Sequence, residues 1–149
     1  MATTIRGNDN WDSSLPSNVV SATNDTYVAI ATTSWVDIGL SVSITLASTA
    51  SKVKLEYAIQ NFLLDVASTG LSFRLVRDST PLFTAGHGYA TWASHITHHT
   101  STSNIEIDSP ASTAAITYKV QARGYSATLV KINSNSLYRT TLIATEIAG

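Results

Sequence analysis

Cysteine is absent from all 149 residues, which excludes disulfides, thiolate metal sites and cysteine nucleophiles. Charge is nearly as scarce. Asp, Glu, Lys and Arg make up 13% of the chain, against roughly 25% in an ordinary domain. Nine basic and ten acidic residues leave a formal charge of -1, so no electrostatic attraction for nucleic acid or an anionic membrane is expected. No apolar run approaches the ~20 residues of a membrane span. The start, MATTIRGNDNW, lacks the apolar core of a signal peptide. No segment sustains the 3.6-residue apolar period of an amphipathic helix.

Hydroxyls take the place of charge. The chain holds 21 Thr and 20 Ser, and threonine's branched β-carbon suits the pleat of a strand. A β surface clad in hydroxyls has little charge with which to repel its own copies, so self-association is expected. At this length one domain can bury roughly 68–70% of its unfolded surface without covalent staples.

The most legible stretch is SPASTAAITYKVQARG, residues 109–124. Ile116, Tyr118, Val120 and Ala122 alternate with Thr117, Lys119, Gln121 and Arg123, the two-residue period of a strand with one face in a core. The same period recurs at Leu40, Val42, Ile44 and Leu46, at Val53, Leu55, Tyr57 and Ile59, and at Leu71, Phe73 and Leu75. After Asn61 the phase flips, so that Phe62, Leu64 and Val66 become the apolar set; a flip inside one run predicts a bulge or a change of sheet. Short strands are also expected at residues 27–31, 82–84, 104–108 and 128–132. The stretch TTLIATEIA at 140–148 is apolar on both faces, as suits a strand central in a sheet or covered by a neighbour. About eight or nine short strands separated by regular turns indicate an all-β antiparallel sandwich, with a jelly roll the best match at this length.

Residues 1–26 show neither period. They carry Ile5, Trp11, Leu15, Val19 and Val20 at intervals, as if to touch a surface. The expected organisation is an extended N-terminal arm over 1–26 and a jelly-roll β-sandwich over 27–149, with those five residues as assembly contacts.

Little in the chain suggests catalysis. There is no Gly-x-Ser-x-Gly elbow, phosphate loop or dinucleotide fingerprint. Asp65, Asp78, Glu106 and Asp108 are scattered, and no catalytic residue or cofactor is expected. The histidines lie in GHGYATWASHITHHTSTSN, residues 86–104. Neither His95 and His98 nor His98 and His99 share a strand face, and no Asp or Glu lies between 79 and 105, so no metal site is expected. Tyr89 and Trp92 flank these histidines. Buried, they are core or interface; exposed, with His95 and His98, they form a surface on which a sugar ring can stack. The Asn24-Asp25-Thr26 triplet is read as a chance glycosylation signature.

Four blocks in order, TTSWVDIGLSVSITLASTASKVKLEYAI (32–59), LSFRLVRDSTPL (71–82), IDSPASTAAITYKVQ (107–121) and LYRTTLIATEIAG (137–149), resemble a domain of tailed-phage structural proteins. The domain is common in cyanophages and marine phages and is often labelled tail-fibre-like. The resemblance covers roughly residues 27–149. It implies a non-enzymatic virion surface protein, made in the host cytoplasm, with a β-sandwich body that forms a homotrimer. Residues 1–26 and any long fibre shaft lie outside it. The role expected first is therefore a head decoration (cement) protein bound to the major capsid protein or another virion protein. The alternative is a receptor-binding tip of a tail fibre touching host surface glycan.

Overall fold

The computed structural model describes residues 18–64, 69–85, 98–135 and 137–149. These residues form ten strands: β1 (Val19–Asn24), β2 (Val28–Ile30), β3 (Val36–Thr45), β4 (Lys52–Leu64), β5 (Leu71–Arg77), β6 (Thr80–Ala85), β7 (His98–Asp108), β8 (Ala115–Gly124), β9 (Val130–Ile132) and β10 (Thr140–Ile147). No helix occurs among the described residues. The strands make two antiparallel sheets packed as a sandwich. The first, sheet A, runs β1-β10-β4-β9-β2, with β7 on the other edge of β4; the second, sheet B, runs β3-β8-β5-β6. Successive long strands mostly change sheet, so that β1, β4, β7 and β10 fall in one layer and β3, β5, β6 and β8 in the other. That order is compatible with the expected jelly roll.

Alternation explains why these segments are strands. In β8, Ile116, Tyr118, Val120 and Ala122 are all buried, while the residues between them are half-exposed. Strand β3 repeats the pattern with Ile38, Leu40, Val42 and Ile44. Burying an aliphatic side chain of this size contributes about 1.5–3 kcal/mol, and the facing rows from both sheets form one contiguous core. Tyr57, Phe62 and Phe73 meet inside it, with Phe62 edge-on to Phe73 at 5.6 Å between ring centroids. Strand β10 lies between β1 and β4, which accounts for its sparing use of charge.

The phase flip in β4 is a bulge. Its register against β7 shifts between Ile59 and Phe62, and both Asn61 and Phe62 are buried. The interrupted ladder is satisfied by Asn61 itself. Its carbonyl accepts from the Asn133 amide at 3.1 Å. Its side-chain oxygen accepts from the Ser134 hydroxyl at 2.9 Å, and its side-chain nitrogen lies 2.9 Å from His99 Nδ1. Beyond the bulge, Phe62 and Leu63 pair with β9 on the edge that Lys52–Ile59 gave to β10.

A polar clamp joins the sheets at one end. Asp108, the last residue of β7, accepts from Arg77 Nη1 at 2.9 Å on both carboxylate oxygens and from the Tyr118 hydroxyl at 2.7 Å. Burial, and then the hydrogen bond to Asp108, push the Tyr118 phenol far above its ordinary range, so the hydroxyl remains a donor.

Three boundaries differ from the sequence reading. Val19–Asn24, inside the expected arm, is strand β1 and pairs with β10. The strand expected at 82–84 is β6 and begins earlier, at Thr80, after a turn at Asp78, where φ is 53°. The strand expected at 104–108 begins at His98.

Gly39 adopts φ 78°, and a Cβ there would stand 2.6 Å from Asn24 Nδ2. That nitrogen donates to the Ile38 carbonyl at 2.9 Å. Gly39→Ala is therefore expected to destabilise the fold by about 1–3 kcal/mol, read from urea unfolding. Tyr118→Phe, which removes one donor from the Asp108 carboxylate, should cost about 1.5–3 kcal/mol in the same measurement.

Candidate interaction surface

Strand β7 is built the opposite way round from β8. Its pairing with β4 sets Thr102 opposite Ile59, Asn104 opposite Tyr57, Glu106 opposite Leu55 and Asp108 opposite Val53. Those β4 residues are buried, so the core-side positions of β7 are all polar. The outward positions carry Ile105 and Ile107, which are 59% and 47% exposed. The cause is placement. Among the described strands, β7 packs substantially against β4 alone. At Asp108 its inner face meets Arg77 and Tyr118 of sheet B. Thr102, Asn104 and Glu106 on that face are half-buried and Asp108 is buried, whereas the outward Ser103, Ile105 and Ile107 are exposed.

The outer face of sheet A can be read row by row from the register. Ile105, Glu56, Ile143 and Ser21 form one row; Ile107, Lys54, Thr145 and Val19 form the next; Ser103, Ala58, Thr141 and Thr23 form a third. Ile147 lies beyond them opposite Lys52. Val19 is 55% exposed and Ile147 40%, so four of the large exposed apolar side chains fall on this one face. Two of its charges pair, Lys54 Nζ lying 3.1 Å from Glu56 Oε2, while Lys52 adds an exposed cation opposite Ile147. An exposed pair of this kind adds little stability, and the face keeps a small positive charge. Between β7, β4 and β10 lies an open depression of about 300 Å³, lined by Glu56, Ala58, Ser103, Ile105, Thr141 and Ile143. Apolar side chains, hydroxyls and one neutralised ion pair suit contact with another apolar surface. They provide no nucleophile with a base beside it. Among the described residues no group of three or more His, Asp or Glu side chains is placed to hold a metal ion.

The residues singled out from the sequence fall unevenly on this map. Ile5, Trp11, Leu15, Tyr89, Trp92 and His95 lie outside the described residues. Val19 is on the outer face of sheet A, whereas Val20, its neighbour in β1, packs against the core of its own sandwich. His98 is exposed at the start of β7, opposite Leu64, and His99 is bound to Asn61. Asn24 is engaged at both ends of its amide, through the Ile38 carbonyl and the Thr26 N–H. Ile105 and Ile107 were missed. Their alternation in the sequence is that of a core-facing pair, and only the register of β7 against β4, which sets them opposite Glu56 and Lys54, turns them outward.

No protein-family model and no curated protein matches the chain. Its strands are similar to parts of infectious bursal disease virus structures. For the Gx strain the TM-score is 0.44 at 13% identity, covering 90% of this chain and 38% of that one. For the VP2 subviral particle of the same virus it is 0.42 at 15% identity, covering 88% of this chain and 37% of that one. The chain thus spans well under half the length of either neighbour, and at these values the likeness carries no argument about function.

Proposed function

We propose that this chain is a structural protein of a virion. More finely, it is a head decoration protein that trimerises and clamps neighbouring shell subunits without catalysing a reaction. The observation that carries this reading is the outward turn of Ile105 and Ile107 beside Ile143, Val19 and Ile147, on a face whose only charges are the Lys54–Glu56 pair and Lys52 among the described residues of β1, β4, β7 and β10. The four-block resemblance to tailed-phage structural domains supports the setting. In the trimer, the outer face of sheet A turns toward the threefold axis and is covered by sister chains. Each isoleucine taken out of water there contributes about 1.5–3 kcal/mol, and attachment at three points multiplies the hold on a shell. Residues 1–17, with Ile5, Trp11 and Leu15, are proposed as the clamp that reaches the major capsid protein or another neighbour. The competing role, a fibre tip that binds host glycan, differs in where on the particle the chain sits.

Sedimentation velocity of the full chain is expected to show a trimer, and Ile105→Glu a folded monomer with unchanged far-ultraviolet circular dichroism. Because Ile105 is 59% exposed in the single chain, the change leaves the sandwich itself intact. A wild-type monomer at micromolar concentration would sink the trimer. Deleting residues 1–17 should preserve the trimer and abolish particle binding; unchanged occupancy would remove the clamp from the account. Electron microscopy of labelled particles should place the protein on the head, and label at fibre tips would favour the glycan-binding role.

A further inference from the structure

Sheet B carries a different kind of surface on its outer side, at the start of β3. Trp35, just before that strand, has two guanidinium groups over its ring: the Cζ atoms of Arg74 and Arg123 lie 4.5 and 4.7 Å from the ring centroid. Arg74 comes from β5 and Arg123 from β8, where they occupy neighbouring rows of the ladder. Two like charges at one indole repel, and that arrangement calls for an anion. Burial first, and then the charge of Arg123, lower the basicity of Arg74, while Asp37 works the other way.

Asp37 offsets part of that repulsion without bonding either guanidinium. Its Oδ1 accepts from Gln121 Nε2 at 2.6 Å and its Oδ2 from Lys119 Nζ at 3.1 Å. Gln121 in turn accepts from Arg74 Nε at 2.8 Å, so an amide stands between the carboxylate and the guanidinium. Among the described residues, no carboxylate bonds Arg74 or Arg123. With Arg74 Nε committed to Gln121, its Nη groups and the Arg123 guanidinium are the donors a carboxylate could use.

We propose that Trp35, Arg74 and Arg123 form a receptor for the carboxylate of an acidic segment of a partner protein. The indole gathers the two guanidinium groups at one ring; the incoming carboxylate accepts from both and offsets their repulsion. Two observations favour a peptide over a saccharide. The guanidinium groups occupy the Trp35 ring, against which the apolar face of a sugar would otherwise stack. The adjoining strand surface is an open depression of about 370 Å³ lined by Asp37, Ser41, Asp78, Thr117 and Lys119, beside which the Ser43 and Thr117 hydroxyls are 3.0 Å apart. Such hydroxyls suit the backbone of an extended segment. The site lies on the opposite layer from Ile105 and Ile107, and the inference stands whether or not the chain belongs to a shell.

The test is a titration of the full chain with hexaglutamate, followed by the Trp35 indole N–H resonance, assigned by its loss in Trp35→Phe. Hexaglutamate is expected to shift that resonance and hexaglutamine to leave it in place. Arg123→Gln should raise the dissociation constant at least tenfold. Arg123→Lys, which keeps the charge and most of the bulk, should raise it at least threefold because the fork is lost, and it guards against misfolding of the first variant. Near-ultraviolet circular dichroism checks that both fold. An unshifted resonance with hexaglutamate, or wild-type affinity in Arg123→Gln, would overturn the proposal. So would tighter binding of hexagalacturonate or of a hexanucleotide than of the peptide, which would assign the site to another class of ligand.

Discussion

Strand β4 is hydrogen-bonded along both edges, and sheet A depends on that double pairing. Over thirteen residues it holds β7 on one side and first β10, then β9, on the other. A strand that long accumulates twist, and it must still bury one face against sheet B. The bulge at Asn61 meets both demands. It resets which side chains point inward, so that Ile59 and Phe62 both reach the core. It also opens a gap in the ladder that Asn61 closes with Asn133, Ser134 and His99. An unpartnered backbone group at such a buried point would cost free energy comparable to a lost hydrogen bond. The polar side chains around the bulge are therefore structural.

The placement of β7 follows from the same pairing. Held by β4, it has a polar, half-buried inner face and an outer face joined to the rows of β4 and β10. At Asp108 it meets sheet B, and there three polar groups from three strands make the bond between layers. Four of the eight large exposed apolar side chains among the described residues thus fall on the outer face of sheet A, and two guanidinium groups gather at Trp35 on sheet B. Two such unlike surfaces would suit the adhesive role proposed above.

The scarcity of charge gains meaning from this layout. With ten acidic and nine basic residues in the whole chain, long-range repulsion between copies is weak. The hydroxyls of Ser and Thr keep the exposed strand faces hydrated without making them repel. What specificity the surfaces have comes from a few placed groups: the Lys54–Glu56 pair among isoleucines, and the Asp37, Gln121 and Lys119 network beside two arginines.

Much of the architecture is local and was legible in the residues. A side chain's face in a strand depends only on whether its position is odd or even, so the buried rows of β3, β8 and the first part of β4, and the flip at Asn61, were readable before any pairing was known. The central place of β10 showed in its near lack of charge. What alternation cannot convey is which layer a face meets. Ile105 and Ile107 have the same spacing as Val53 and Leu55, yet one pair is exposed and the other buried, because the register of β7 on β4 sets the two isoleucines opposite Glu56 and Lys54 on the outer face of the sheet. Likewise, Trp35, Arg74 and Arg123 are 39 and 49 residues apart along the chain, and only the register of β5 against β8 beside the start of β3 brings them to one ring. Periodicity specified the strands; long-range pairing decided which of their faces stayed open to a partner.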